Sequence, residues 1–82
     1  MSIRIKSFKK VEGNTILKAF ADIEVDGNVV IKGAKLMSFK GVMVGKLPDT
    51  KGKDNKWYPL VIFNDDVMNK ELTNLLVAEY KK

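Results

Sequence analysis

TILKAFADIEVDGN, residues Thr15 to Asn28, is the stretch on which the fold turns. Leu17, Ala19, Ala21, Ile23 and Val25 fall on one side of an extended chain, and Ile16, Lys18, Phe20, Asp22 and Glu24 on the other. A period of two marks a strand, and a side made only of apolar residues must face a core. Asp26 and Gly27 follow at once, and both tolerate the positive φ that a two-residue type I′ hairpin turn demands. The chain should therefore return antiparallel over Asn28 to Met37.

Working outward, Ser2 to Phe8 repeats the alternation, with Ile3 and Ile5 against Arg4 and Lys6, and Glu12, Gly13 and Asn14 make the turn between the first two strands. A fourth strand is expected over Lys40 to Leu47. There Val42, Met43 and Val44 are apolar at successive positions, a pattern that predicts burial on both faces. Pro48 ends it, a lysine-rich loop follows, and WYPLVIF (Trp57 to Phe63) reads as a short fifth strand whose Pro59 favours an edge or a bulge.

The last segment is helical. Met68, Leu72, Leu75, Leu76 and Tyr80 recur at intervals of three and four as one stripe, while Glu71, Asn74 and Lys81 fall away from it. Asn64 is the expected N-cap, Asp65 and Asp66 complement the positive end of the helix dipole, and Lys81 and Lys82 the negative end. The result is a single α+β domain over residues 1–82, a small antiparallel β-sheet of about five strands with one C-terminal helix. One helix covers one face of a sheet. Ile16, Phe20, Val30, Ala34 and Leu36 are assigned to the opposite face or its margin, and a second copy of the chain is the simplest cover for them, so a homodimer is expected.

Composition narrows the chemistry. The 82 residues contain no cysteine and no histidine, which removes disulfides, thiolate nucleophiles, imidazole bases and nearly every transition-metal site. At this size a second subunit is then the remaining source of added stability. Ser2, Ser7 and Ser38 have no histidine to activate them, and neighbouring carboxylates at a helix start, Asp65 and Asp66, point in different directions. No catalysis, metal, cofactor or small-molecule substrate is expected. Gly41, Gly45 and Lys46 do not form a Walker A loop, because three residues separate the glycines and Leu47 follows the lysine. The charged start MSIRIKSFKK is unlike a signal peptide and no apolar run approaches the ~20 residues of a membrane span, so a cytoplasmic protein with no membrane partner is expected.

Fifteen Lys and Arg oppose ten Asp and Glu, for a net charge of +5. The excess gathers at Arg4, Lys6, Lys9 and Lys10 and in GKLPDTKGKDNKWYP, Gly45 to Pro59, where Lys46, Lys51, Lys53 and Lys56 meet only Asp49 and Asp54. Asp22, Glu24 and Asp26 cluster on the hairpin instead. Lysines attract phosphate, and the flat faces of Trp57 and Tyr58 can stack on bases. The same loop also reads as a solvated connection whose tryptophan enters the core.

The order of these parts resembles the stage V sporulation protein G family, small bacterial proteins also called septation regulators. The resemblance runs over nearly the whole chain. It is carried by SFKKV with Lys9 and Lys10, KAFADIEVDG (Lys18 to Gly27), VVIKGAKLM (Val29 to Met37), VGKLP ending at Pro48, DNKW (Asp54 to Trp57) and LLVAEY (Leu75 to Tyr80). Family members have a basic pair after the first strand, an RAxASITLD-like second strand, a strand ending in a FVAMP-like sequence, a basic loop with an aromatic, and a helix ending in EY. This chain departs from them at Leu47, Pro48 and Asp49, where methionine, proline and serine are usual, at Thr50, which replaces a basic residue, and at Ile62 and Phe63, where His-Pro-Ile is missing. The resemblance implies a dimeric α+β fold and binding of DNA, in some members RNA, in the regulation of gene expression, cell division and sporulation. Lys9, Lys10, Lys51, Lys53 and Lys56 would contact phosphates with help from Lys70 on the polar side of the helix, and Trp57 would stack on a base or fill the core. A dimeric protein-interaction adaptor is the other reading of the same features.

Overall fold

The alternation in the decisive stretch is realised as a long, central strand. In the computed structural model, which describes residues 2–13 and 15–82, the elements run β1 (Ile3–Lys10), β2 (Leu17–Val25), β3 (Val29–Phe39), β4 (Val42–Lys46), β5 (Asp49–Lys51), β6 (Trp57–Pro59) and α1 (Asp66–Tyr80). The first four make an antiparallel sheet in the order β1-β2-β3-β4, and β5 and β6 pair only with each other. The expected turn at Glu12 to Asn14 includes Asn14, which lies outside the described residues. Beside it the Val11 amide donates to the Lys18 carbonyl at 2.9 Å.

Two tight turns make the meander. Asp26 and Gly27 have φ of 56° and 68°, the pair of left-handed residues that a type I′ turn needs, and the Asn28 amide donates to the Val25 carbonyl at 3.1 Å. Lys40 and Gly41, at φ 50° and 85°, repeat this geometry between β3 and β4, so Lys40 belongs to a turn and not to the fourth strand.

Three register shifts interrupt the ladders of β2, at Lys6, Lys18 and Gly33, and the first and last decide which of the following residues share a face. On β1 the pairing with β2 shifts between Ile5 and Ser7, so Ile3, Ile5 and Phe8 point the same way. On β3 Lys32 pairs with Asp22 and Ala34 with Ala21, leaving Gly33 as the extra residue at φ 91°. A bulge of this kind moves every later side chain to the other face. Ala34 and Leu36, expected on the second face, are consequently fully buried beneath the helix with Ala19, Ala21, Ile23 and Ile31. Of the five residues that called for a covering subunit, only Ile16, Phe20 and Val30 remain exposed.

The helix supplies Met68, Leu72 and Leu76 to this core, with Leu75, Val77 and Tyr80 packed at its margin. It lies mainly over β4 and β1. Its N-cap is Asp65, not Asn64: Asp65 holds the extended backbone at φ −103°, ψ 120°, and its Oδ1 accepts from the Val67 amide at 2.8 Å. A carboxylate there engages the orphan amides and the dipole at once. Asp66 begins the helix, and Lys81 closes it through its own amide, which donates to the Val77 carbonyl.

Over β4 the helix comes unusually close. A Cβ on Gly45 would lie 3.1 Å from Thr73 Cα and from Leu76 Cδ1, and the Gly45 amide donates to Thr73 Oγ1 at 3.0 Å. Glycine lets the two backbones approach, and the threonine hydroxyl satisfies an amide that an edge strand would otherwise leave unpaired. Burial of β4 on both faces is not observed, because the helix takes Met43 and Gly45 while Val42, on the other side, is 62% exposed. The expected fifth strand is also shorter. It ends at Pro59, joins β5 and not the main sheet, and gives way to an irregular segment in which Val61 and Phe63 turn inward and Leu60 and Ile62 stay exposed. Proline breaks the ladder there.

Candidate nucleic-acid interface

The lysine-rich segment folds as a hairpin. Gly52 donates its amide to the Lys56 carbonyl at 2.8 Å, and Asn55, at φ 64°, donates to the Gly52 carbonyl at 3.1 Å. Asp54 ties the turn together, accepting from the Lys56 amide at 3.0 Å through Oδ1 and from the Tyr58 hydroxyl through Oδ2. The Tyr58 hydroxyl bond, and after it the Lys56 amide bond, hold the Asp54 carboxyl below its usual pKa, while the same carboxylate raises that of Tyr58. Gly52 has no room for a side chain, since a Cβ would sit 2.6 Å from Tyr58 Cε2. Tyr58 thus packs against its own turn, and Lys51, Lys53 and Lys56 are left exposed around it.

Trp57 pairs with Lys51 in the register of β5 and β6 and does not enter the core: it is 60% exposed. Its ring lies 5.6 Å from Nζ of Lys35, which also pairs with Asp49 at 3.3 Å. Lys35, Met37, Lys46, Asp49 and Trp57 line a shallow recess of about 280 Å³. The hairpin is thereby joined to the sheet face that the helix leaves open.

That face has a sequence of its own. Cα pairings place Lys9 across from Phe20, Phe20 across from Lys35, and Lys35 across from Lys46, so one row of three lysines around a single ring crosses all four strands. At about 4.8 Å per strand the row is about 14 Å wide. Phe39 lies further along β3 with Nζ of Lys46 5.8 Å from its ring centre, within the reach of a cation–π contact. The acids of β2 and its turn are engaged. Asp22, next to Phe20 on the same face, accepts from the Gly33 amide in the bulge, and toward the Asp26-Gly27 turn Glu24 pairs with Arg4 at 2.7 Å and Asp26 accepts from the Ser2 amide.

The expected phosphate-contacting residues are not all brought together. Lys51, Lys53, Lys56 and Trp57 share the hairpin, and Lys9 shares the open face with Trp57 through the row just described. Lys10 is on the other side. The β1 bulge pairs it with buried Ala19, its Nζ stands 5.2 Å over the Tyr80 ring, and it donates to the Lys82 carbonyl at 3.3 Å. The two adjacent lysines therefore cannot act as one pair, because neighbours on a strand face opposite ways. Lys70 is exposed on the helix beside the outer edge of β4, apart from the open face. Lys35, Phe20 and Phe39 were not singled out by the sequence as site residues, although an isolated glycine inside a strand, Gly33, is the signal for the bulge that sends Lys35 outward.

Among the described residues no group of three or more acidic, histidine or cysteine side chains could hold a metal ion, and no helix is long and apolar enough to cross a membrane. These features define a small α+β protein with a helix on one sheet face and a basic, aromatic surface on the other. No protein-family model matches the chain, and no curated protein matches it significantly.

Proposed function

We propose that the protein is a non-catalytic, nucleic-acid-binding regulator of the stage V sporulation protein G type, working in the cytoplasm as a homodimer in the control of gene expression, septation or sporulation. The observation that carries this reading is the hairpin, whose Lys51, Lys53 and Lys56 are all exposed beside an exposed Trp57 and whose Asp54 is occupied within the turn. A four-stranded antiparallel sheet, a two-stranded hairpin and a C-terminal helix also agree with the fold that the resemblance implies. Lys9 and Lys46 extend the cationic surface. Fluorescence anisotropy with labelled DNA and RNA, single- and double-stranded, tests the reading across a salt series. Replacing Lys51, Lys53 and Lys56 by alanine should weaken binding and flatten the slope of log affinity against log salt by about 0.7 to 0.9 for each phosphate that is no longer neutralised. Absence of binding at low salt, or an unchanged slope in the triple variant, refutes it.

A second reading, a dimeric protein-interaction adaptor, draws on Leu60 and Ile62, each 64% exposed, and on the exposed Val67 after them. Recovery of a protein partner that survives nuclease and high salt favours the adaptor, and recovery of nucleic acid that is lost in salt favours the regulator. Analytical ultracentrifugation reads the dimer directly.

A further inference from the structure

The geometry points to the open sheet face as a platform for a single-stranded polynucleotide, with bases stacked on Trp57, Phe20 and Phe39 and phosphates held by Lys9, Lys46 and the hairpin lysines. This rests on the nucleic-acid reading above and adds to it which form of nucleic acid is bound and by which surface. Three features of the face carry it.

The rings are available. Phe20 in β2 and Phe39 at the end of β3 are each a little over 40% exposed and Trp57 at the sheet margin is 60% exposed, while the helix packs Met68, Leu72 and Leu76 into the core on the other face. An exposed phenylalanine on a sheet face forgoes burial, and two on one face with an exposed tryptophan at its margin make an apolar surface that needs an occupant. Cations interleave with the rings. Lys9 flanks Phe20, Lys35 lies between Phe20 and Trp57, and Lys46 reaches over Phe39, an alternation that suits an alternating chain of bases and phosphates. Acids are engaged. Asp49, the one carboxylate beside Trp57 in the recess, is paired with Lys35; Asp22, the next residue after Phe20 on this face of β2, accepts from the Gly33 amide, and Glu24, further along, is paired with Arg4.

A duplex fits this surface poorly, because its bases are stacked on one another and present no free faces, whereas a single strand offers each base to a ring. A second copy of the chain fits it less well than the sequence implied. Ala34 and Leu36 are absent from the face, and Lys35 stands on it. A subunit seam would have to desolvate Lys9, Lys35 and Lys46. Rings and ammonium groups address bases and phosphates and not the sugar, so DNA and RNA strands should bind alike.

The test uses the fact that Trp57 is the chain's single tryptophan, so that its intrinsic fluorescence reports on the junction of the hairpin and the open face, and the ring variants on the sheet tell the two apart. Oligo(dT), oligo(U), a duplex and an abasic deoxyribose-phosphate strand, each of about 12 nucleotides or base pairs, are titrated into the protein at low salt. Oligo(dT) and oligo(U) should quench Trp57 to the same extent, and the abasic strand should bind more weakly without quenching. Phe20→Ala and Phe39→Ala, both at exposed positions and checked for unchanged circular dichroism, should each weaken oligo(dT) binding about 5- to 100-fold and leave duplex binding near its original value. If the abasic strand binds as tightly as oligo(dT), or the ring variants bind oligo(dT) unchanged while the triple lysine variant does not, the platform is refuted and the hairpin reading stands. If no polyanion binds, both fall. A change in sedimentation of Phe20→Ala from dimer to monomer assigns the face to a second copy and overturns the proposal.

Discussion

Gly45→Ala probes the contact that fixes the helix on the sheet. The added Cβ would stand 3.1 Å from Thr73 Cα, 3.2 Å from Thr73 N and 3.1 Å from Leu76 Cδ1. The leucine tip can turn aside, but the threonine atoms are helix backbone, so the helix itself must move outward by a few tenths of an ångström. Such a shift loosens Leu72 and Leu76, both almost fully buried, and stretches the 3.0 Å bond from the Gly45 amide to Thr73 Oγ1. Overpacking of this kind costs about 1–3 kcal/mol, and the backbone entropy saved by replacing glycine in a strand offsets about 0.5–1 kcal/mol of it. The net loss of about 1 kcal/mol lowers the melting temperature of a domain this small by about 4–8 °C. Thermal denaturation followed by circular dichroism measures it, and Gly45→Val should lose more than Gly45→Ala. A melting temperature equal to or above that of the parent chain refutes the close approach of helix and β4.

Gly33→Ala tests the β3 bulge: at φ 91° an alanine is strained, and a loss of about 1–2 kcal/mol is expected in chemical denaturation, against no loss if the strand runs without a bulge. Asp49→Asn frees Lys35 from its 3.3 Å ion pair and removes a carboxylate from beside Trp57, so polyanion affinity should rise and its salt dependence steepen; weaker binding would count against the open face. The hairpin should respond to pH at both ends of the scale. Asp54 has a folded pKa below its unfolded one, so its contribution is complete above the unfolded value and is lost as pH falls through the folded value. Tyr58 has a folded pKa above its unfolded one, so its contribution holds below the unfolded value and is lost as pH rises through the folded one. Amide resonances of Gly52 and Lys56 should shift at both limits and stay constant between them; shifts centred near neutrality would contradict the Asp54–Tyr58 bond.

Local pattern determined most of the elements. The alternation in β2, the Asp26-Gly27 turn and the three-four spacing of Met68, Leu72, Leu75 and Leu76 depend only on residues close in sequence, and each appears as expected. The lysine cluster was equally visible, being contiguous in the chain. What tertiary structure decided was phase and placement. A period of two says that neighbours face opposite ways, but which way each faces is set by the strand alongside. Bulges at Lys6 and Gly33, seen only in the pairing with β2, turned Ala34 and Leu36 into the core, Lys10 toward Tyr80 and Lys35 out beside Trp57. The N-cap is one residue later than expected, at Asp65, whose carboxylate accepts from the Val67 amide. One extra residue in a strand reverses every side chain after it, and cross-strand hydrogen bonding chooses that residue, so the two faces of this sheet could be told apart only once the strands were paired.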